Sequence, residues 1–421
     1  MRCEVGVRPV RTAVVALAGA LALTVPLTLT ACATDAASPA PPPTTSVAAP
    51  ASPSVSPAPT GDQRGALISR QPVPDIDPAI TALGATATRV VYRSTSGVDG
   101  GGAEVVGTVF TPGGPAPDGG RPVVTVGHGT TGVTDECAPS SSPTLLGTTN
   151  LVRPLLQRGY VVTVTDYQGL GTDGPHPYLE PDTAAYDLID AVRAARNVVP
   201  DASARWAALG VSQGGQASWS AAEHAGDYGD GLEFVGAANL SPAADLSGIV
   251  ADGTVEPLSL PQKMFLPYLL EGLKVIHPEL NPDDYMRGTL AASPDVTLSC
   301  VAAKLQEKWT VATQLTPADT GPRTAADAER MRGWLQDIAL PRTGAGGPML
   351  VVVGDRDNLI LPQWTSQAVD HACTLGDVVE FDTRPGEGHA DGRSVPGAVQ
   401  WIADRFAGVP APDTCAEGGT P

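Results

Sequence analysis

Three residues far apart in the chain have the types needed to split an acyl bond. They are Ser212 in "GVSQGG", Asp357 in "GDRDN" and His389 in "GEGHA". A serine hydroxyl is a poor nucleophile until a base removes its proton. A histidine near its ordinary pKa can take that proton and pass it to a leaving group. A carboxylate on the second ring nitrogen fixes the tautomer and stabilises the imidazolium. Gly210 and Gly214 complete a Gly-x-Ser-x-Gly pattern around the serine, as a turn too tight for side chains requires. The pattern alone is weak: with 47 glycines and 22 serines in 421 residues, composition yields about 0.3 chance matches.

The remaining parts must therefore be sought. A nucleophile of this kind needs two backbone donors for the developing oxyanion. One is expected at Gln213, directly after the serine, and the other at Thr130 in the glycine loop "VTVGHGTTG". His128 in that loop reads as structural, because the catalytic histidine should come last in the chain. "GDRDN" offers Asp355 and Asp357. The Gly-x-x-Asp spacing after a strand selects Asp357 and leaves Asp355 as a turn residue. His371 is the rival base, but "TSQAVDHAC" reads as a helix, where a solvated or packed His is the simpler account.

The positioning elements follow from hydrophobic periodicity. Buried-type strands are expected around 123–126, 160–167, in "ARWAAL", in "MLVVVGDRDNLI" (349–360) and in "VVEF". Two strands and a turn are expected over 87–114. Residues 182–199 have helical spacing, with Asp182 or Thr183 able to cap them. "SQGGQASWSAAEHA" and "VPGAVQWIADRF" also read as helices. Apolar strands alternating with amphipathic helices predict an α/β fold, a mostly parallel central sheet with helices on both faces. Reactive groups then belong on loops at the carboxyl ends of strands. The order Ser, Asp, His is the one expected of an α/β-hydrolase.

The ends of the chain speak of location. Arg2, Arg8 and Arg11 precede the apolar run 13–29, and "LTAC" at 29–32 follows. This predicts a lipoprotein signal peptide over 1–31 with the lipid on Cys32; an ordinary secretory signal is the alternative. Residues 32–62, almost all Ala, Pro, Ser and Thr, read as a disordered tether. The formal charge is −19, and about −21 once residues 1–31 are gone, which excludes a basic nucleic-acid interface. Cys137, Cys300, Cys373 and Cys415 remain for two disulfides, with three possible pairings. No C-x-x-C pair occurs, so no metal, zinc or redox site is expected, and no cofactor is implied.

"GHGTTG", "DYQGLGTDGPHPYL", "DAVRAAR", "GVSQGGQA" and "VVVGDRD" together make the chain similar to the secretory-lipase family of α/β-hydrolases, over about residues 80–415. "DYQGLGTDGPHPYL" is the most particular of these pieces; the serine elbow is common to the superfamily. The resemblance implies Ser212, Asp357 and His389 as the triad. It implies a helical cap within 242–345, between core portions 63–241 and 346–421. "PLSLPQKMFLPYLLEGLKVIHPEL" in that segment is proline-broken, as a mobile lid or a simple packed helix pair would be. It further implies the pairs Cys137–Cys300 and Cys373–Cys415. The lipid anchor and short tail depart from the fungal pattern and bear on location.

The resulting expectation is an exported, envelope-anchored serine carboxylic-ester hydrolase, a lipase or esterase acting on a small-molecule or lipid ester and held to the membrane through Cys32. An exported serine peptidase on the same fold is the nearest rival. It would need a charged cap group for a peptide terminus, and Glu271, Asp283 and Asp284 are candidates, although a solvated helix face explains them equally. A non-catalytic lipid-binding lipoprotein has no use for all three triad residues. Acyl transfer to an alcohol acceptor stays open, since the same acyl-enzyme serves it.

Overall fold

A computed structural model of the chain describes residues 56–253 and 257–416. The signal segment, Cys32 and the tether as far as residue 55 lie outside the described residues. Among those described, nine strands form one sheet in the order β1-β2-β3-β5-β4-β6-β7-β8-β9. They are β1 (Leu67–Pro72), β2 (Thr86–Thr95), β3 (Gly102–Thr111), β4 (Arg121–Gly127), β5 (Val161–Thr165), β6 (Ala202–Val211), β7 (Glu233–Leu240), β8 (Met349–Gly354) and β9 (Val379–Arg384). β1, β2 and β3 run antiparallel along one edge, and β5, β4, β6, β7, β8 and β9 are parallel. This is the mostly parallel sheet that the apolar runs predict.

Eleven α-helices are described: α1 (Pro78–Thr81), α2 (Thr149–Gln157), α3 (Pro181–Val198), α4 (Gln213–Glu223), α5 (Leu260–Ile276), α6 (Gly288–Ala291), α7 (Pro294–Thr297), α8 (Leu305–Gln314), α9 (Ala325–Asp337), α10 (Pro362–Leu375) and α11 (Val395–Phe406). The period of two in the strands sorts side chains between two cores. Val123, Met349 and Val351 point to one face and pack with Leu188, Val192, Ala217 and Ala368 from α3, α4 and α10. Val124, Leu350 and Val352 point to the other and pack with Leu155, Ile402 and Phe406 from α2 and α11. Each fully buried leucine or valine of this kind contributes about 1.5–3 kcal/mol. Among the described residues, no helix is long and apolar enough to cross a membrane.

Several local expectations are corrected. The tether ends earlier than residue 62, because the Ser56 carbonyl already accepts the Gly102 N–H at 2.8 Å and Pro59 is buried. The expected strand 160–167 stops at Thr165, where Tyr167 takes φ 69° and turns the chain. The expected strand 349–360 stops at Gly354 and gives way to the loop that carries Asp357. Helix α3 is capped by Glu180, which accepts the N–H groups of Asp182 and Thr183, with Pro181 at the first helical position. β1 and β7 are not among the expected strands.

Between β7 and β8 the chain makes a helical insertion containing α5 to α9. Its apolar cluster joins Leu266, Leu270, Leu273, Met331 and Leu335 to Tyr178 and Leu179 of the core and to Leu359 and Ile360 beyond β8. Helix α5 runs unbroken through Pro267, contrary to a proline-broken segment, although that residue has no N–H to donate to the helix. The Ser259–Gln262 capping box starts it, and both side chains also reach the next core loop: Ser259 donates to the Asn358 carbonyl at 2.6 Å and Gln262 to the Leu359 carbonyl at 3.0 Å. Disulfides join Cys137 to Cys300 and Cys373 to Cys415, the first tying the insertion to the core. Loop-closure entropy gives roughly 4–5 kcal/mol for each.

Candidate active site

The site is built where β6 meets α4. Ser212 has φ 58° and ψ −116°, a conformation that L-residues adopt only when their surroundings impose it. A Cβ on Gly210 would lie 1.7 Å from the Gly214 carbonyl oxygen, and one on Gly214 would lie 1.9 Å from that of Gly127. Both flanking positions therefore require glycine. The turn is pinned by the Ser212 N–H on the Leu240 carbonyl at 2.9 Å and by the Ala243 N–H on the Ser212 carbonyl at 3.2 Å. The Ser212 hydroxyl is thereby held at the carboxyl edge of the parallel strands.

Two further loops from that edge reach it. His389 follows β9 and Asp357 follows β8. His389 Nε2 lies 2.9 Å from Ser212 Oγ, and Nδ1 lies 2.7 Å from Asp357 Oδ2. A carboxylate only accepts, so Nδ1 carries the proton and Nε2 is left to accept from the serine. The Asp357 side chain is fully buried and that of His389 is 17% exposed. The second Asp357 oxygen accepts the N–H groups of Leu359 and Ile360 at 2.9 and 3.0 Å. Asp355 sits apart, its Oδ1 accepting the Gly386 N–H at 2.7 Å, and so links the acid loop to the histidine loop. His371 is exposed on α10.

Gln213 is the first residue of α4, where a helix leaves its N–H groups without internal partners. Thr130 follows β4 and shares with Ser212 the wall of an open groove of about 430 Å³. Its Oγ1 lies 2.7 Å from the Tyr178 hydroxyl. His128 is completely buried, donates from Nδ1 to the Gly129 carbonyl at 2.7 Å, and packs 4.5 Å from the Tyr167 ring. Burial pushes its pKa down to about 4, so it stays neutral and shapes the loop.

Two cavities meet at Ser212. The groove is walled partly by polar groups, among them Ser241, Glu387 and Asp391. A slot of about 40 Å³ is almost wholly apolar, with walls of Leu246, Ile249, Leu258, Leu266, Leu269 and Ile360. Phe265 of α5 borders both. Glu271, Asp283 and Asp284, the candidate anchors for a peptide terminus, line neither. Among the described residues, the group of metal-type donors closest to a ligand set is Glu136 with Cys137 and Cys300, whose sulfurs are already bonded to each other.

Sequence reasoning missed three contacts. The Ser241 hydroxyl accepts the Ala390 N–H at 3.2 Å and holds the histidine loop against the end of β7. His176 and Tyr178, both in "DYQGLGTDGPHPYL", touch Gln213 and Thr130. That motif was conspicuous in the sequence, but nothing in it announced a target.

The comparisons with known proteins agree with this architecture. Candida antarctica lipase A in its closed state superimposes with a TM-score of 0.66 at 17% identity, over 83% of each chain. The rice cell wall degrading esterase LipA from Xanthomonas oryzae does so at 0.63 and 20% identity, over 82% of this chain and 97% of that one. At these identities the likeness is one of fold. A Mycobacterium tuberculosis protein named as a probable inactive lipase is 32% identical over 173 residues, 38% of either chain, so well under half of that relative is spanned. A family model described as Secretory lipase matches residues 140–414, more than half of the chain and both sides of the helical insertion. The chain belongs to the secretory lipase family.

Proposed function

We propose that this protein is a serine carboxylic-ester hydrolase, a lipase or esterase, that works through an acyl-enzyme on Ser212. The observation that carries this reading is the hydrogen-bond chain from Ser212 through His389 to Asp357, at 2.9 and 2.7 Å. Ser212 Oγ attacks the ester carbonyl while its proton passes to His389 Nε2. Asp357 holds the ring and stabilises its charge. The N–H groups of Gln213 and Thr130 receive the oxyanion. The intermediate collapses as His389 returns the proton to the departing alkoxide. Water then enters, gives its proton to His389 and attacks the acyl carbon, and Ser212 is regenerated as the acid leaves. The Mycobacterium tuberculosis relative is named as inactive; the intact hydrogen-bond chain is why this protein is read as active.

The two cavities divide the substrate. The apolar slot suits an acyl chain and the wider, partly polar groove suits the alcohol portion. The slot, at about 40 Å³ against about 430 Å³ for the groove, is small and so favours a short acyl chain over a long one. The test is turnover of p-nitrophenyl esters from acetate to laurate beside an aminoacyl anilide panel. Short acyl chains are expected to be preferred, and Leu269→Ala, which enlarges the slot, is expected to raise the long-to-short ratio about tenfold. Anilide turnover without ester turnover would transfer the reading to a peptidase. Silence on both, in folded protein, would favour a binding protein or an alcohol as the acyl acceptor.

Two disulfides fit an oxidising compartment, and we read the protein as exported. The sequence ahead of Cys32 supports a lipid anchor there. A Cys32→Ala chain is then expected in the medium, and the unaltered chain in the membrane fraction. Equal partition of the two would refute the anchor.

A further inference from the structure

We propose that the loop between β5 and α3 sets the position of both oxyanion donors, with His176 acting on Gln213 and Tyr178 on Thr130. The inference rests on the functional reading above, since it concerns how those two donors are held. "DYQGLGTDGPHPYL" supplies the loop, and its role in the site is otherwise unassigned.

The loop is fixed at both ends and folded onto itself. At its start the Asp166 carboxylate accepts the Ser140 N–H at 3.0 Å, and the Gln168 N–H donates to Asp187 at 2.8 Å. Both carboxylates are fully buried. At its end Glu180 caps α3. In the middle, Gly169 has φ 78°, and a Cβ there would lie 2.4 Å from the Pro175 carbonyl carbon and 2.5 Å from the His176 nitrogen. That close approach brings His176 back beneath the serine turn. Helix α5 closes over the loop, since a Cβ on Gly272 would lie 2.3 Å from the Tyr178 carbonyl oxygen.

From this frame two contacts reach the site. His176 Nδ1 lies 2.7 Å from the Gln168 carbonyl, which can only accept, so the ring proton is on Nδ1. Nε2 must then accept, and the Gln213 side-chain amide donates to it at 3.0 Å. The relay runs one way, from Gln213 through His176 to Gln168. Burial keeps His176 neutral, with its pKa pushed down to about 4, so the accepting nitrogen persists at ordinary pH. The second contact is the 2.7 Å hydrogen bond between the Tyr178 hydroxyl and Thr130 Oγ1. Tyr178 borders the slot, Thr130 borders the groove, and Ser212 borders both, so this bond links the walls of the two cavities that meet at the serine. Each contact restrains the side chain of a residue whose backbone N–H is assigned to the oxyanion. His176 and Tyr178 are positioning residues, because they act through those two.

The test uses the full chain and its Tyr178→Phe, His176→Asn and Thr130→Val variants. Tyr178→Phe is expected to lower kcat on p-nitrophenyl butyrate about tenfold, with KM and the melting temperature nearly unchanged. An alkyl trifluoromethyl ketone, whose adduct with Ser212 carries an oxyanion, should lose affinity by the same factor. In a Thr130→Val background Tyr178→Phe should cost nothing further, because the hydrogen bond is already gone. His176→Asn should lower kcat and ketone affinity in parallel; if it fails to fold, Tyr178→Phe decides alone. Ester turnover and ketone binding that ignore Tyr178→Phe overturn this inference and leave the hydrolase reading standing. So does a loss that falls on KM and melting temperature instead. A folded unaltered chain that hydrolyses no ester overturns the functional reading, and this inference with it.

Discussion

Ser212→Ala is expected to lower kcat for ester hydrolysis by roughly four to six orders of magnitude while the protein stays folded. On the proposed reading the serine oxygen forms the acyl-enzyme, and its loss leaves what binding and the oxyanion donors supply. Asp357→Asn should cost roughly 10⁴-fold for a different reason. Asp357 Oδ1 takes two backbone N–H groups, and an amide oxygen can keep both. The loop is thus preserved, but an amide N–H₂ now meets His389 Nδ1 in place of the oxygen at 2.7 Å. The ring then accepts at Nδ1 and presents a proton, with no lone pair, to Ser212. The double variant should be no slower than Ser212→Ala alone, because the three groups act as a unit. Burst and steady-state kinetics on one activated ester check all three. A Ser212→Ala chain retaining a hundredth of the activity would refute the assignment of the nucleophile.

Gly214→Ala is expected to be, with Gly210→Ala, among the most damaging single methyls that can be added to this molecule's site. The new carbon would fall 1.9 Å from the Gly127 carbonyl oxygen and 2.2 Å from its carbon, and both belong to the main chain of β4. No rotamer relieves it, so β4 and α4 must separate. The expected loss is at least about 4 kcal/mol, or roughly 10 °C in melting temperature. The same substitution has the opposite sign at Gly333. That residue lies inside α9 with nothing within 4 Å of a built Cβ, and alanine there should stabilise by about 0.5–1 kcal/mol. Thermal unfolding of the two variants side by side reads both effects. Equal melting temperatures would mean that the elbow is not as tightly packed as its distances require.

The parts legible in the sequence were those with a local signature. Alternating apolar runs place the parallel strands, and chain order with Gly-x-x-Asp spacing points to Asp357, whose carboxylate meets His389 while Asp355 binds a backbone N–H. What stayed hidden depends on partners distant in sequence. Nothing local to Pro59 says that the fold will bury it. Pro267 looks like a break, but the burial of Leu266, Leu269 and Leu270 outweighs one missing hydrogen bond and the helix continues. Glu180 outcompetes Asp182 as a cap because Pro181 sets the first helical position one residue earlier. His176 finds Gln213 only after Gly169 lets the loop double back. Spacing shows which residues are equipped for chemistry, whereas their supports are set by the packing of the whole molecule.

The two cystines divide the chain into covalent rings. One closes residues 137–300 and contains Ser212; the other closes 373–415 and contains His389. Asp357 lies in neither. A protease that nicks either ring once therefore releases nothing: the severed ends stay bonded to the same molecule, and a nicked band appears only after reduction. A single cut in the stretch between the rings, residues 301–372, frees two fragments without reductant, with the serine on one and the histidine on the other. The ruler for damage in this protein is thus the position of a cut relative to four sulfur atoms, and the stretch between the two rings, which neither protects, is the one that also carries Asp357.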